Sequence, residues 1–219
     1  NRPHGSLGEM TLNEFVQGAR DRTPLLLIEP QEHLIPILRE NYSFHPSKVI
    51  VQGALGPPGE LTLYAVSRRY WPRLRSIPYA LDWPEYRAPT GVTSFHRAHV
   101  AGWLERQLEG EIDMDEAIVS LTVESLPLQK MMERTGFPEC VDVLQIDAEG
   151  YDDQVIYHSN VQELRPRIIH FESTHLSEKN LENVLGFLRE MGYSMETHGD
   201  NTLAIHDRPV RGGAENAGA

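Results

Sequence analysis

Cysteine is nearly absent: Cys140 is the one cysteine in 219 residues, so no disulfide can form within the chain. A reducing compartment follows, with the cytoplasm as the default expectation. Long apolar runs are missing too. None approaches the roughly 20 residues that a membrane-spanning helix needs, and the opening Asn1-Arg2-Pro3-His4 lacks the apolar stretch of a signal peptide. Neither membrane insertion nor export is expected. Basic residues are scarce beside acidic ones, 20 against 32, for a formal net charge of −12. A surface of that sign repels phosphate backbones, which sets nucleic acid aside as a partner and leaves a small molecule or sugar as the easier one to accept. The histidines and acids show no tight zinc-type spacing. No internal repeat stands out, and nothing in the totals bears on oligomeric state.

What is present is ordinary for a folded protein, 40% hydrophobic and 24% charged. The length suits one core, so a single domain over residues 1–206 is expected, with 207–219, rich in glycine and alanine, as a loose tail. Thr11 and Glu14 form a capping box ahead of a helix expected over about residues 12–20. Leu25 to Ile28 reads as a strand buried on both faces, and Pro36 puts the regular part of the next helix near His33 to Ile35. Strands follow over 48–52 and 61–66, separated by a turn at Gly56-Pro57-Pro58-Gly59.

Residues 68–116 interleave aromatics, prolines and arginines and read either as an irregular excursion or as a lid over a substrate. Beyond them come a strand over 118–123, a helix over 127–135 stopped by Gly136, a strand over 141–147, a helix over 152–164 and a strand over 167–172. Ser177 caps a helix ending at Gly192, and two last strands, 193–197 and 202–205, are joined by a turn at 198–201. This alternation gives an α/β fold with a mainly parallel sheet and a C-terminal antiparallel hairpin. Ligands in such sheets sit beyond the carboxyl ends of the strands.

Several residues at those ends could carry chemistry. Glu29 could accept both hydroxyls of a ribose, or be a solvated acid at a loop start. Gln52, Gly53 and Ala54 would let an adenine ring approach, or simply form a turn. Asp147 and Glu149, with Gly150 between strand and helix, place two carboxylates at the ligand edge, though either could cap the helix that follows. Strand alternation puts His170 and Glu172 on one side, with His175 in the loop beyond, so a general base or a divalent metal ligand could come from this group; a metal is possible but not expected. Ser94 and His96, after Thr93, could meet substrate, but no third group orients them as a nucleophilic pair.

In order and spacing, Leu27-Ile28-Glu29-Pro30, Gly53-Ala54-Leu55-Gly56, Thr93-Ser94-Phe95, the run Val143 to Tyr151 with Ile146-Asp147-Ala148-Glu149-Gly150 at its heart, and Ile168 to Glu172 resemble the FkbM family of methyltransferases over roughly residues 25–206. The resemblance implies a Rossmann-like methyltransferase fold, S-adenosylmethionine as donor, and methylation of a hydroxyl on a small metabolite or sugar. Carried over by position, Glu29 would bind the donor ribose and Gln52, Gly53 and Ala54 would lie near adenine. Asp147 and Glu149 would line the reacting end, and His170 or Asp147 would be the base; Ser94, His96 and Glu172 would face the acceptor. The family's first strand and glycine-rich turn have no counterpart here. The expectation is either that the chain starts just after that turn, as an inactive fragment, or that donor binding has been lost. Two other readings stay open: a metal-assisted hydrolase using Asp147, Glu149, His170 and Glu172, and a non-catalytic binding module.

Overall fold

A computed structural model describes residues 23–74, 91–108 and 112–207. The helix expected over 12–20, the aromatics Tyr79, Trp83 and Tyr86, and the tail from 208 lie outside those residues. The chain falls into two compact units, Asn1–Glu139 and Cys140–Ala219.

In the first unit, β1 (Leu25–Glu29) and β2 (Lys48–Gln52) pair in parallel, in register from Leu25 opposite Lys48 to Glu29 opposite Gln52. Every residue of β1 is half-buried, so this apolar run is less enclosed than its composition predicts. A 3-10 turn at Glu32–Leu34 leads into α1 (Ile35–Asn41), whose first turn accommodates Pro36 because the N–H that proline lacks has no helical partner there.

A second sheet orders β3 (Ala54–Leu55), β5 (Ile118–Leu126) and β4 (Gly59–Val66), with β5 in the centre. β3 runs parallel to β5 but β4 runs antiparallel, from Gly59 opposite Ser125 to Val66 opposite Ile118. The interval between β4 and β5 is not wholly irregular. It holds a short helix α2 (Trp71–Leu74), the 11-residue α3 (Arg97–Gln107) and α4 (Met114–Ala117). Val100, Trp103 and Leu104 repeat at i, i+3 and i+4 on α3 and bury into one cluster with Val66, Tyr70, Leu74 and Ile118, which is what holds the helix there. Asp113 caps α4 by accepting the N–H groups of Asp115 and Glu116. After β5, α5 (Leu128–Thr135) ends at Gly136, whose φ of +67° favours glycine.

The second unit is a four-stranded sheet in the order β6 (Val143–Ile146), β7 (Ile168–Glu172), β9 (Asn201–Ile205), β8 (Ser194–His198). β6 and β7 are parallel; β9 is antiparallel to both β7 and β8. The helix expected over 152–164 breaks into α6 (Asp152–Tyr157) and α7 (Val161–Leu164), with Asn160 at a positive φ of 48° between them. Between β7 and β8, α8 (Glu178–Glu190) opens with Ser177 accepting the Asn180 N–H, as its sequence predicts. Leu144 and Ile146 stand opposite Ile169 and Phe171, and all four are buried on one face of this sheet.

The expectation of a mainly parallel sheet is therefore corrected. The sheets are mixed, with β4, β8 and β9 all in antiparallel pairs. The two-residue Gly199-Asp200 turn between β8 and β9 can only return the chain antiparallel. The expected C-terminal antiparallel hairpin is present: β8 and β9 lie at one edge of this sheet, with β9 next to β7.

Candidate functional site

In the first unit the parallel register brings Glu29 and Gln52 side by side at the carboxyl ends of β1 and β2. The Gly53 N–H donates to the Glu29 carbonyl at 3.2 Å, and Glu29 Oε1 accepts the Gln31 N–H at 2.7 Å, so this carboxylate is oriented by the turn that follows it. Gly53 and Ala54 are buried. A Cβ at Gly53 would stand 3.4 Å from the Glu124 carbonyl oxygen and from Met131 Cε, so the missing side chain makes room for protein on that side.

Thr93 and Ser94 are also buried. The Ser94 main chain bridges to Tyr64 of β4 in both directions, and its hydroxyl accepts the His96 N–H at 3.1 Å. The Thr93 hydroxyl donates to Oε1 of buried Gln31 at 3.0 Å. This segment thus ties the turn after β1 to β4. His96 is exposed, at the N-cap position of α3.

The second unit gathers acids. Asp147 follows β6 directly, and Glu172 closes its neighbour β7. The carboxylates of Asp147, Glu149 and Glu172 each offer an oxygen, all within 4.8 Å of one another. His175 Nε2 stands 3.6 Å from Glu149 Oε2 and 3.7 Å from Glu172 Oε1. Glu149 and Gly150 take positive φ values of 49° and 93°, which turns the chain back sharply after the strand.

Asp152, which sequence reasoning passed over, holds that turn in place. It is fully buried, and its carboxylate accepts N–H groups from Ala148 at 3.4 Å, Gly150 at 3.3 Å and Glu172 at 3.2 Å. One side chain thereby fastens the loop after β6 to the end of β7. Burial raises its pKa to about 6 against the lowering effect of those hydrogen bonds, with the charge of Asp147 adding to the rise. A signal existed in the sequence: Asp152 lies in the first turn of a helix, ahead of Val155 and Ile156, a place where an acid serves backbone N–H groups.

Glu172 is pushed up to about 7, first by burial, then by the charges of Glu149, Asp147, Asp152 and Asp200. Its Oε2 is buried without a hydrogen-bond partner among the described residues. His170 lies on the same face of β7 as Glu172, as alternation predicts, and burial lowers its pKa against the opposing pull of Asp147, so its imidazole is neutral near pH 7. Of the residues expected to converge on the acids, His170, Glu172 and His175 are thus in place within this unit.

Such a group can accept a proton from a hydroxyl or attract a cation. Among the described residues no helix is long and apolar enough to cross a membrane. In comparison with known proteins, the model of the methyltransferase FkbM domain matches residues 25–195. No curated protein and no solved structure matches the chain.

Proposed function

We propose, from the premise that this chain belongs to the FkbM methyltransferase family, that it transfers a methyl group from S-adenosylmethionine to a hydroxyl oxygen of a small metabolite or sugar. The family match over residues 25–195 carries this reading. The chemistry of the residues at the strand ends supports it. Glu29 offers a carboxylate, steadied by the Gln31 N–H, where a ribose diol would be received, with Gln52 beside it. The donor, when bound, supplies an electrophilic methyl on a sulfonium.

The chain's own task is to hold the acceptor hydroxyl and take its proton. Glu172 suits that task better than the base first expected from the sequence, His170 or Asp147. Its pKa of about 7 lies near the working pH, where about half of the carboxyl is the free base and that base is still proton-hungry. Burial holds it there first, followed by the charges of Glu149, Asp147 and Asp152, and Asp152 also fixes its main chain. His170, kept neutral, lines the same face of β7.

Calorimetry tests the reading: S-adenosylmethionine is titrated into the protein with Glu29 intact, as Gln and as Ala. Saturable binding that weakens in both variants supports the donor site. Absence of saturable binding sinks the methyltransferase reading. The mutual approach of the Asp147, Glu149 and Glu172 oxygens within 4.8 Å favours a second reading, a metal-assisted hydrolase, which predicts turnover only with a divalent cation present.

A further inference from the structure

The first unit holds a cavity of about 110 Å³ that none of the strand-end residues explains. Its polar wall consists of Gln31, His33, Arg68 and Thr93; Trp71 stands beside them, and aliphatic side chains of β4 and β5, Val119 and Leu121 among them, complete it. Three of these groups form one stack. The Arg68 guanidinium lies over the Trp71 ring at 5.5 Å, and the His33 ring is tilted against the same indole at 5.7 Å. The indole is itself pinned, because its Nε1–H donates to the Val66 carbonyl at 3.1 Å.

Two features give this cavity a chemical preference. Arg68 is a permanent cation on its wall, and no carboxylate pairs with it among the described residues. Among the described residues His33 Nε2 is buried with no hydrogen-bond partner, so a ligand that reaches it would relieve an unmet polar group. An otherwise acidic chain, at a net charge of −12, thus presents a guanidinium and an imidazole nitrogen, both without a partner among the described residues, over an apolar floor.

We propose that this cavity is a carboxylate-binding pocket, in which Arg68 and His33 hold a small carboxylate against Trp71. A fork of guanidinium N–H groups matches the two oxygens of a carboxylate, and the stack on Trp71 fixes the plane of that fork. Burial and the nearby charge of Arg68 lower the pKa of His33, so its imidazole is neutral near pH 7 and keeps one N–H to donate. The size sets the class. A cavity of roughly 150 Å³ accepts benzene, so one of about 110 Å³ takes a carboxylate and two or three carbons, with the rest of the molecule outside. The carboxylate site does not depend on the proposed methyl transfer.

The test uses sodium propionate as probe against propionamide, its neutral isostere, and against sodium chloride at the same ionic strength. Binding is followed by NMR at the Trp71 indole N–H, identified by its loss in Trp71→Phe. Propionate is expected to shift that signal saturably, while propionamide and chloride leave it in place. Arg68→Gln, an exposed position whose exchange leaves the core intact, is expected to weaken propionate at least tenfold, and Arg68→Lys, which keeps charge without the fork, to weaken it less. Equal shifts from propionamide or chloride, full binding by Arg68→Gln, or no propionate shift at all would overturn the pocket. Donor titration on the same samples separates the two ideas. Propionate binding without S-adenosylmethionine binding leaves the pocket and removes methyl transfer; the reverse removes only the pocket.

Discussion

Asp152 holds the main chain of Glu172 and at the same time repels its side chain: Oδ1 of Asp152 accepts the Glu172 N–H at 3.2 Å, while the charge of Asp152 helps raise the Glu172 carboxyl to about 7. One residue thus sets both where the acid sits and how readily it takes a proton. Replacing it separates the two effects. Asp152→Asn keeps one oxygen acceptor where the carboxylate had two, so a buried N–H loses its partner at a cost of about 1–3 kcal/mol, read by chemical denaturation. The lost charge lets the apparent pKa of Glu172 fall, as carboxyl carbon NMR would show; an unchanged titration would refute the charge coupling.

The rate of methyl transfer is expected to rise with pH through about 7, as Glu172 gives up its proton and becomes a base. The apparent value belongs to the whole cluster of Asp147, Glu149, Asp152, Glu172 and Asp200 with His175 beside it. Glu172→Gln removes this limb and lowers kcat by about 10²–10⁴-fold, the usual worth of a positioned base. A limb that persists in the variant would return the role to His170, whose lowered pKa puts its own limb below 6.5.

Stability should move the opposite way. Asp152 and Glu172 have folded-state pKa values raised to about 6 and about 7, so the folded chain binds more protons than the unfolded one between about pH 4 and pH 7. Their contribution is complete below about pH 4 and is lost as pH rises through those values; His170, lowered, works against this below 6.5. The large rises of the two acids set the direction against the two lowered histidines, His33 and His170. Urea denaturation should therefore show less stability at pH 7.5 than at pH 5, with a shallower difference in Asp152→Asn.

Gly136→Ala tests local geometry apart from any chemistry. Nothing lies within 4 Å of the added Cβ, so the φ of +67° is the whole penalty. A loss of about 1 kcal/mol is expected with donor binding unchanged. A larger loss would mean that the turn after α5 carries more than a helix stop.

Chelation discriminates between the two readings of the acids. Methyl transfer through a carboxylate base continues in EDTA, whereas the hydrolase alternative stops and recovers with added magnesium or manganese. Loss of methyl transfer in EDTA would move the Asp147, Glu149 and Glu172 oxygens from base to ligand.

Much of this was readable from periodicity. The apolar runs ending in Glu29, Gln52 and Asp147 gave strands whose carboxyl ends are where the acids stand, and the alternation of Ile168 to Glu172 put His170 and Glu172 on one face. Other features lay beyond local pattern. α3 carries a clean i, i+3, i+4 repeat at Val100, Trp103 and Leu104, but it follows a stretch dense in proline and aromatics that reads as irregular throughout. Strand direction is a property of pairing, so nothing within Gly59–Val66 announces that β4 lies antiparallel to β5. Asp152 looked like an ordinary acid in a first helical turn; its reach to Ala148, Gly150 and Glu172 depends on the positive φ of two preceding residues.

The place of β9 between β7 and β8 has a consequence for how the chain is made. Synthesis delivers β7 some thirty residues before its second neighbour exists, since β9 begins at Asn201. Until then β7 can pair only with β6, and its other edge of N–H and C=O groups stays open to any extended peptide nearby. Thr202 and Ala204, fully buried in the finished sheet, are the residues that close it. A ribosome stalled before Asn201 therefore carries a half-sheet with the edge of β7 open, and the arrival of β9 is the step that covers it.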